Sequence, residues 1–289
     1  MIADRKKAVY NRRGKRGRKG NHSGLRARKD TQMEATMQKY AKMSGSTLKI
    51  IALVSMLIDH TAAVLLPYPM MEHGVYYTGF SLEYSFAVLG EGPAGLLYIL
   101  YQIMRSLLGR LAFPIYCFLL VEGFERTHSR ARYAFRIFLF ALVSEVPFDL
   151  AFNGRIYYTH YQNVFFTLFL GFLMIWAMRL LEEHVKIPIV NWAGTALVFL
   201  AAAFVAEKIY CDYGARGIIA IALLYLFRKN RWQQLIAGIA AFLWEVTAPL
   251  AFIFVGLYNG KRGLKLKYVF YLFYPLHLLI LYFISRLLI

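Results

Sequence analysis

From Leu48 onward the chain is a near-continuous succession of apolar runs of helix length, and no other feature constrains its fold as strongly. Segments of this kind are stable in a bilayer, where a helix satisfies all of its own backbone hydrogen bonds. The composition agrees. Hydrophobic residues make up 59% of the 289 residues and charged residues 17%, against about 25% charged in a soluble domain. The expected fold is all-α, a polytopic transmembrane bundle of about nine to ten membrane helices. No linker interrupts it, so residues 48–289 read as one transmembrane domain and residues 1–47 as a disordered basic tail. The two cysteines, Cys117 and Cys211, offer neither a disulfide framework nor a metal-ligand spacing, and no metal is expected. The long basic N-terminus, without an early apolar core, does not read as a cleavable signal peptide.

The net charge of +18 is concentrated in the tail. Residues 1–49 hold 15 Lys/Arg against three Asp/Glu, a net of +12. Arg12, Arg13, Lys15, Arg16, Arg18 and Lys19 sit among Gly and Asn, a solvated block rather than a nucleic-acid site. Beside a first membrane span, such a block holds the N-terminus in the cytoplasm and touches anionic lipid.

Loop charges then orient the spans. The span Leu48–Leu66 goes out, and Pro67–Gly92, with three Glu and no Lys or Arg, suits the outer face. Ala94–Leu108 is either a short span or a re-entrant helix. Leu111–Phe124 returns to Arg126, Arg130, Arg132 and Arg136. Spans at 133–152, 164–181, 187–206 and 215–227 alternate. Residues 232–258 read as two short helices, because a single long span would put Lys261, Arg262, Lys265 and Lys267 outside. The last span leaves the C-terminus outside. The membrane is expected to be the bacterial cytoplasmic membrane.

Polar groups inside these runs are the candidates for chemistry. An ionisable side chain at membrane depth costs roughly 2.5–3.5 kcal/mol on insertion scales, and Ile51–Leu66 carries two in a row, Asp59 and His60. His60 lies 11 residues after Lys49, roughly 16 Å along a helix axis, near mid-membrane. Neighbours on a helix point about 100° apart, so Asp59 orients His60 through a bend or pairs with an arginine elsewhere. Arg110 and Glu122 bracket a run broken by Pro114. Glu145 and Asp149, at i,i+4 around Pro147, share a face that must look inward, and Asn163 and Thr167 repeat the spacing on the next helix. Tyr258–Gly263 is a basic glycine-containing turn, suited to phosphate or to positive-inside topology alike. His277 follows Pro275 in the last span, a second candidate for chemistry or for orienting the first histidine.

The strings KIIALVSMLIDHTA, GRLAFPIYCFLLVEGF, RIFLFALVSEVPFDLAF, NVFFTLFLGF, LYNGKRG and YVFYLFYPLHLLIL resemble, in order, the TraX family of integral membrane proteins. The resemblance covers most of residues 48–289. It excludes the tail and the acidic insert near 70–92. It implies a relation to the transmembrane acyltransferases, which pass acyl groups from cytoplasmic acyl-CoA to an acceptor. That superfamily carries an arginine, ten residues, then a histidine. Here Lys49 holds the arginine's place, keeping the charge and losing the bidentate fork.

The residues suit such chemistry on their own account. Acyl transfer needs a base for the acceptor proton, and a neutral imidazole at membrane depth can be that base. A nearby carboxylate can orient it, and a cation can hold the thioester oxyanion. The expected machinery is His60 as base, Asp59 orienting it, Arg110 on the oxyanion, Glu145 and Asp149 on the acceptor side, and His277 in support. Acetyl-CoA is the expected donor substrate. Its phosphates would meet Lys49, Arg130, Arg132, Arg136, Lys261 and Arg262. The acceptor, a protein N-terminus or a glycan, stays open. Two other classes fit the same residues: a proton-coupled transporter, which would need no acyl-CoA, and a non-catalytic assembly protein.

Overall fold

The computed structural model describes residues 36, 39–75, 81–90, 92–265 and 267–288. The tail's basic block and Lys267's side chain lie outside what it describes. From Gly45 on, the described residues form the α-helices α1 (Gly45–Leu65), α2 (Pro67–Glu72), α3 (Leu82–Val88), α4 (Pro93–Gln102), α5 (Ala112–Arg126), α6 (Arg130–Asn153), α7 (Val164–His184), α8 (Pro188–Lys208), α9 (Gly214–Leu226), α10 (Arg231–Ala241), α11 (Ala251–Gly256) and α12 (Lys267–Leu288). Among the described residues there is no strand, only two isolated bridges.

Local sequence sets many of the ends. Ser44, Ser81, Ser129, Asn163 and Asn230 each accept a backbone N–H from the first turn of the helix that follows, filling donors a helix start leaves open. Pro67, Pro93 and Pro188 open helices where no N–H is needed. Gly154 closes α6 in the left-handed region at φ 63°, a conformation that suits glycine.

Six helices close a ring: α1 packs on α12, α12 on α6, α6 on α7, α7 on α9, α9 on α5, and α5 back on α1. α8 lies outside it, against α7 and α9. Its exposed Ile189, Trp192, Leu197, Leu200 and Phe204 make a lipid-facing stripe, as bilayer solvation allows. The interior is packed by Leu48, Ile115, Phe118, Phe172, Ile175, Ile221 and Tyr225. The insert after α1 folds as a small lobe on α4, with its own core of Met70, Val75, Val88 and Tyr98.

The all-α bundle is as the sequence leads one to expect, and its helices differ in length. Among the described residues, five helical segments are long and apolar enough to cross a membrane: 45–72, 93–126, 164–184, 188–208 and 269–288. α9 is apolar but shorter, and α6 is long but carries Arg130, Arg132, Arg136, Glu145 and Asp149. The remaining apolar runs are arranged in two ways. The runs 94–108 and 111–124 belong to one helical segment, joined through a π-helical turn (Ile103–Leu108) and a 3₁₀ turn (Gly109–Leu111). Residues 232–258 do form two short helices. At 11 residues, α10 extends about 16 Å, half a hydrocarbon core.

Candidate active site

The π turn is where the interior charges gather. Such a turn leaves carbonyls poorly paired and is common at functional sites. Ser55 Oγ donates to Leu108 O at 2.6 Å and to Gly109 O at 3.0 Å. Thr247 Oγ1 donates to Ser106 O at 2.8 Å and Leu107 O at 2.9 Å. These two hydroxyls hold the turn so that Arg105 and Arg110 point inward. Arg105 Nη1 meets Asp59 Oδ2 at 2.9 Å, and Arg110 Nε meets Glu245 Oε2 at 3.3 Å. Gly109 lets α1 come this close, because a Cβ there would lie 2.6 Å from Asp59 Cβ. The second carboxylate oxygen of Asp59 is buried and makes no hydrogen bond among the described residues.

His60 and His277 are brought together from 217 residues apart, His60 Nδ1 lying 2.7 Å from His277 Nε2. His277 is buried at 5% exposure. Phe152 and Tyr274 pack edge-on against the His60 ring at 5.3 and 6.0 Å. Asp59, expected to orient His60, is instead ion-paired with Arg105. Arg110, Glu145 and Asp149 hydrogen-bond to neither imidazole. Glu145 accepts from the backbone N–H and the side-chain amide of Asn163. Asp149 accepts from Tyr158 N at 2.7 Å and from Asn153 at 3.5 Å. Both tie α6 to the loop before α7, a fastening role. In that outer region Asp212, between α8 and α9, accepts from the Tyr161 hydroxyl at 3.2 Å. Burial pushes its carboxyl up to about 6.

On the other side of Tyr274 lies a cavity of about 560 Å³ inside the helix ring. Its wall is apolar: Leu53, Met56, Leu119, Ile137, Phe140 and Leu168, with Tyr274, Val164 and Phe165 among its lining. Lys49, Arg126, Arg136, Arg262 and His128 also line it, with Glu122 as counter-charge. Arg126 pairs with Glu122 at 2.8 Å and donates to Gly260 O. The turn 257–264 is clasped to the start of α1 by Met43 N to Leu257 O, Gly45 N to Lys261 O and Ser46 N to Arg262 O.

Of the cations expected to meet phosphates, Lys49, Arg136 and Arg262 line this cavity. Arg130 instead reaches Glu183 at 3.6 Å and covers the Phe124 ring. Arg132 and Lys261 are exposed and outside the lining. The sequence reading missed Arg105, Glu245, Asp212 and Arg126 as site groups. Arg105 and Glu245 had a signal, since each is a charge within or beside an apolar run. Asp212 and Arg126 had none that set them apart from loop charges. Among the described residues no group of three His, Cys, Asp or Glu is placed to hold a metal.

The sequence profile described as TraX protein matches residues 44–285. The chain is 26% identical over 275 residues to a protein of Dichelobacter nodosus named probable fimbrial assembly protein FimC, serogroup H1, covering 85% of this chain and 97% of that one. No solved structure matches.

Proposed function

This chain belongs to the TraX family of membrane proteins, and on that premise we propose that it is an acyltransferase moving an acetyl group from cytoplasmic acyl-CoA to an amine or hydroxyl. The observation that carries the reading is the cavity: cations line it together with apolar side chains and Tyr274, whose ring packs against both histidines. That layout suits a donor with a polyphosphate head and a long thin arm ending in a thioester. The cationic mouth faces the cytoplasm in this reading, by the positive-inside rule, and the bilayer in question is the bacterial cytoplasmic membrane. The relative's name favours a protein acceptor, a pilus subunit's amine or hydroxyl, over a glycan.

In the reaction the acceptor N–H or O–H gives its proton to His60. The freed lone pair attacks the thioester carbonyl, a new C–N or C–O bond forms, and the C–S bond breaks. The CoA thiolate leaves and takes a proton in turn. Lys49, Arg126, Arg136 and Arg262 hold the phosphates.

Membranes carrying this protein or its His60→Ala form, supplied with labelled acetyl-CoA and candidate acceptors, test the reading. Label should enter the protein fraction only with the intact histidine, with a loss of about 100-fold or more in the variant. Equal labelling by two properly inserted proteins removes His60 from the mechanism. No acyl-CoA-dependent labelling by either one overturns the acyltransferase reading.

A further inference from the structure

His277 Nδ1 lies 2.7 Å from the carbonyl oxygen of Phe273, one turn earlier on α12. A carbonyl only accepts, so this nitrogen carries a proton whatever the charge of the ring. A neutral His277 therefore presents a bare Nε2. That atom sits 2.7 Å from His60 Nδ1, so His60 is the donor in this bond and its own lone pair is on Nε2. The two rings are 8° from parallel with centres 5.0 Å apart. This separation is the N···N distance plus two ring radii, so the rings meet edge to edge and the bond runs in their common plane. The Phe273 ring, 4.7 Å from His277, and the edge-on rings of Phe152 and Tyr274 restrict tilting. Among the described residues nothing hydrogen-bonds to His60 Nε2.

We propose that His277 is a positioning residue that sets the tautomer of His60, so that Nε2 of His60 is the atom that takes the acceptor's proton; this rests on the acyltransferase reading above. Carboxylates commonly orient a catalytic imidazole, but the adjacent one, Asp59, is held by Arg105. A neutral ring takes the part instead, anchored by a backbone carbonyl. The proton lost by the acceptor becomes Nε2–H of His60. The pair then carries one positive charge, shared along the Nδ1–Nε2 line toward the Phe273 carbonyl, until the departing thiolate takes a proton.

Two variants and one spectrum test this. His277→Phe keeps the bulk of the ring and removes the acceptor. His277→Gln returns an oxygen near the place of Nε2. Transfer from labelled acetyl-CoA should fall about 100-fold in kcat for the Phe variant, with KM for acetyl-CoA unchanged, and most of that loss should be recovered by Gln. An unimpaired Phe variant, or a kcat loss that Gln does not relieve, overturns the proposal. Nitrogen-15 NMR of histidine-labelled protein in lipid reads the tautomer without any turnover. His60 in the Nδ1–H form supports the proposal even if no acyl-CoA is consumed, in which case the acyltransferase reading fails and the pairing stands. His60 in the Nε2–H form overturns the proposal at any activity.

Discussion

The two ends of the helix ring use charge in opposite ways. At the end where α5, α7 and α9 meet the basic loops, Arg179 and Arg228 share Glu125, Glu182 and Glu183 across 2.6 to 3.8 Å. Each carboxylate there is about a third or more exposed, and each has more than one arginine in reach. In the other half, Asp59 meets Arg105 and Arg110 meets Glu245, all less than a fifth exposed. The first group is a network in contact with water, where losing one partner leaves others. The second consists of pairs inside an apolar bundle, where water does not replace a lost partner. Burying two charges has a desolvation cost that their attraction alone does not reliably repay. The interior pairs persist because Ser55, Thr247 and Gly109 fix the turn that presents them.

The contrast can be broken at four places, in descending order of effect. Asp59→Ala should lower stability by about 3–5 kcal/mol, because it removes one partner of an ion pair that is less than a fifth exposed. Unfolding of the purified protein in micelles measures this, and Asp59→Ala with Arg105→Leu should recover much of the loss. Gly109→Ala tests the close approach without removing a charge. Its Cβ would meet the Asp59 side chain at under 3 Å, and the displacement of α1 should cost about 1–3 kcal/mol.

Asp212 sharpens the comparison because it is a half-buried acid between α8 and α9 whose nearby cations, Arg105 and Arg110, are already paired. Its carboxyl is pushed up to about 6 by burial, above the ordinary carboxylate value. The folded state therefore binds a proton there more readily than the unfolded chain, and stability falls as pH rises from about 4 through 6. Asp212→Asn should raise the melting temperature at pH 8 and leave it unchanged at pH 4. Equal shifts at both values would show that the acid is not strained by burial. Glu125→Gln, in the exposed network, should change stability by less than about 1 kcal/mol at any pH and less still in high salt. A loss as large as that of Asp59→Ala would erase the distinction between the two ends.

Much of the fold was legible in the chain. The apolar runs announced a helical membrane bundle, and Ser, Asn, Pro and Gly marked many of the helix ends. The split of 232–258 into two short helices followed from loop charge. The continuity of 93–126 did not, because a π turn has no sequence signature and depends on hydroxyls 53 and 141 residues away. In the candidate site, His60 and His277 were legible as ionisable groups at membrane depth. Asp59 was legible as unusual, but its partner was not, since sequence spacing does not say which arginine a helix bend will present. Glu145 and Asp149 shared a face as expected, and that face fastens a loop.

What the sequence determined alone was the class of solvent each segment requires, and hence helices, spans and the short list of buried titratable groups. These follow from hydropathy and backbone hydrogen bonding, which are properties of local segments. Partnership was decided only by the tertiary structure. Closing α1, α5, α9, α7, α6 and α12 into a ring set Asp59 against Arg105, His60 against His277, and three of the expected cations around one cavity. Those contacts join residues tens to hundreds of positions apart, and an ion pair or hydrogen bond depends on distances of a few ångströms that no local property of the chain contains.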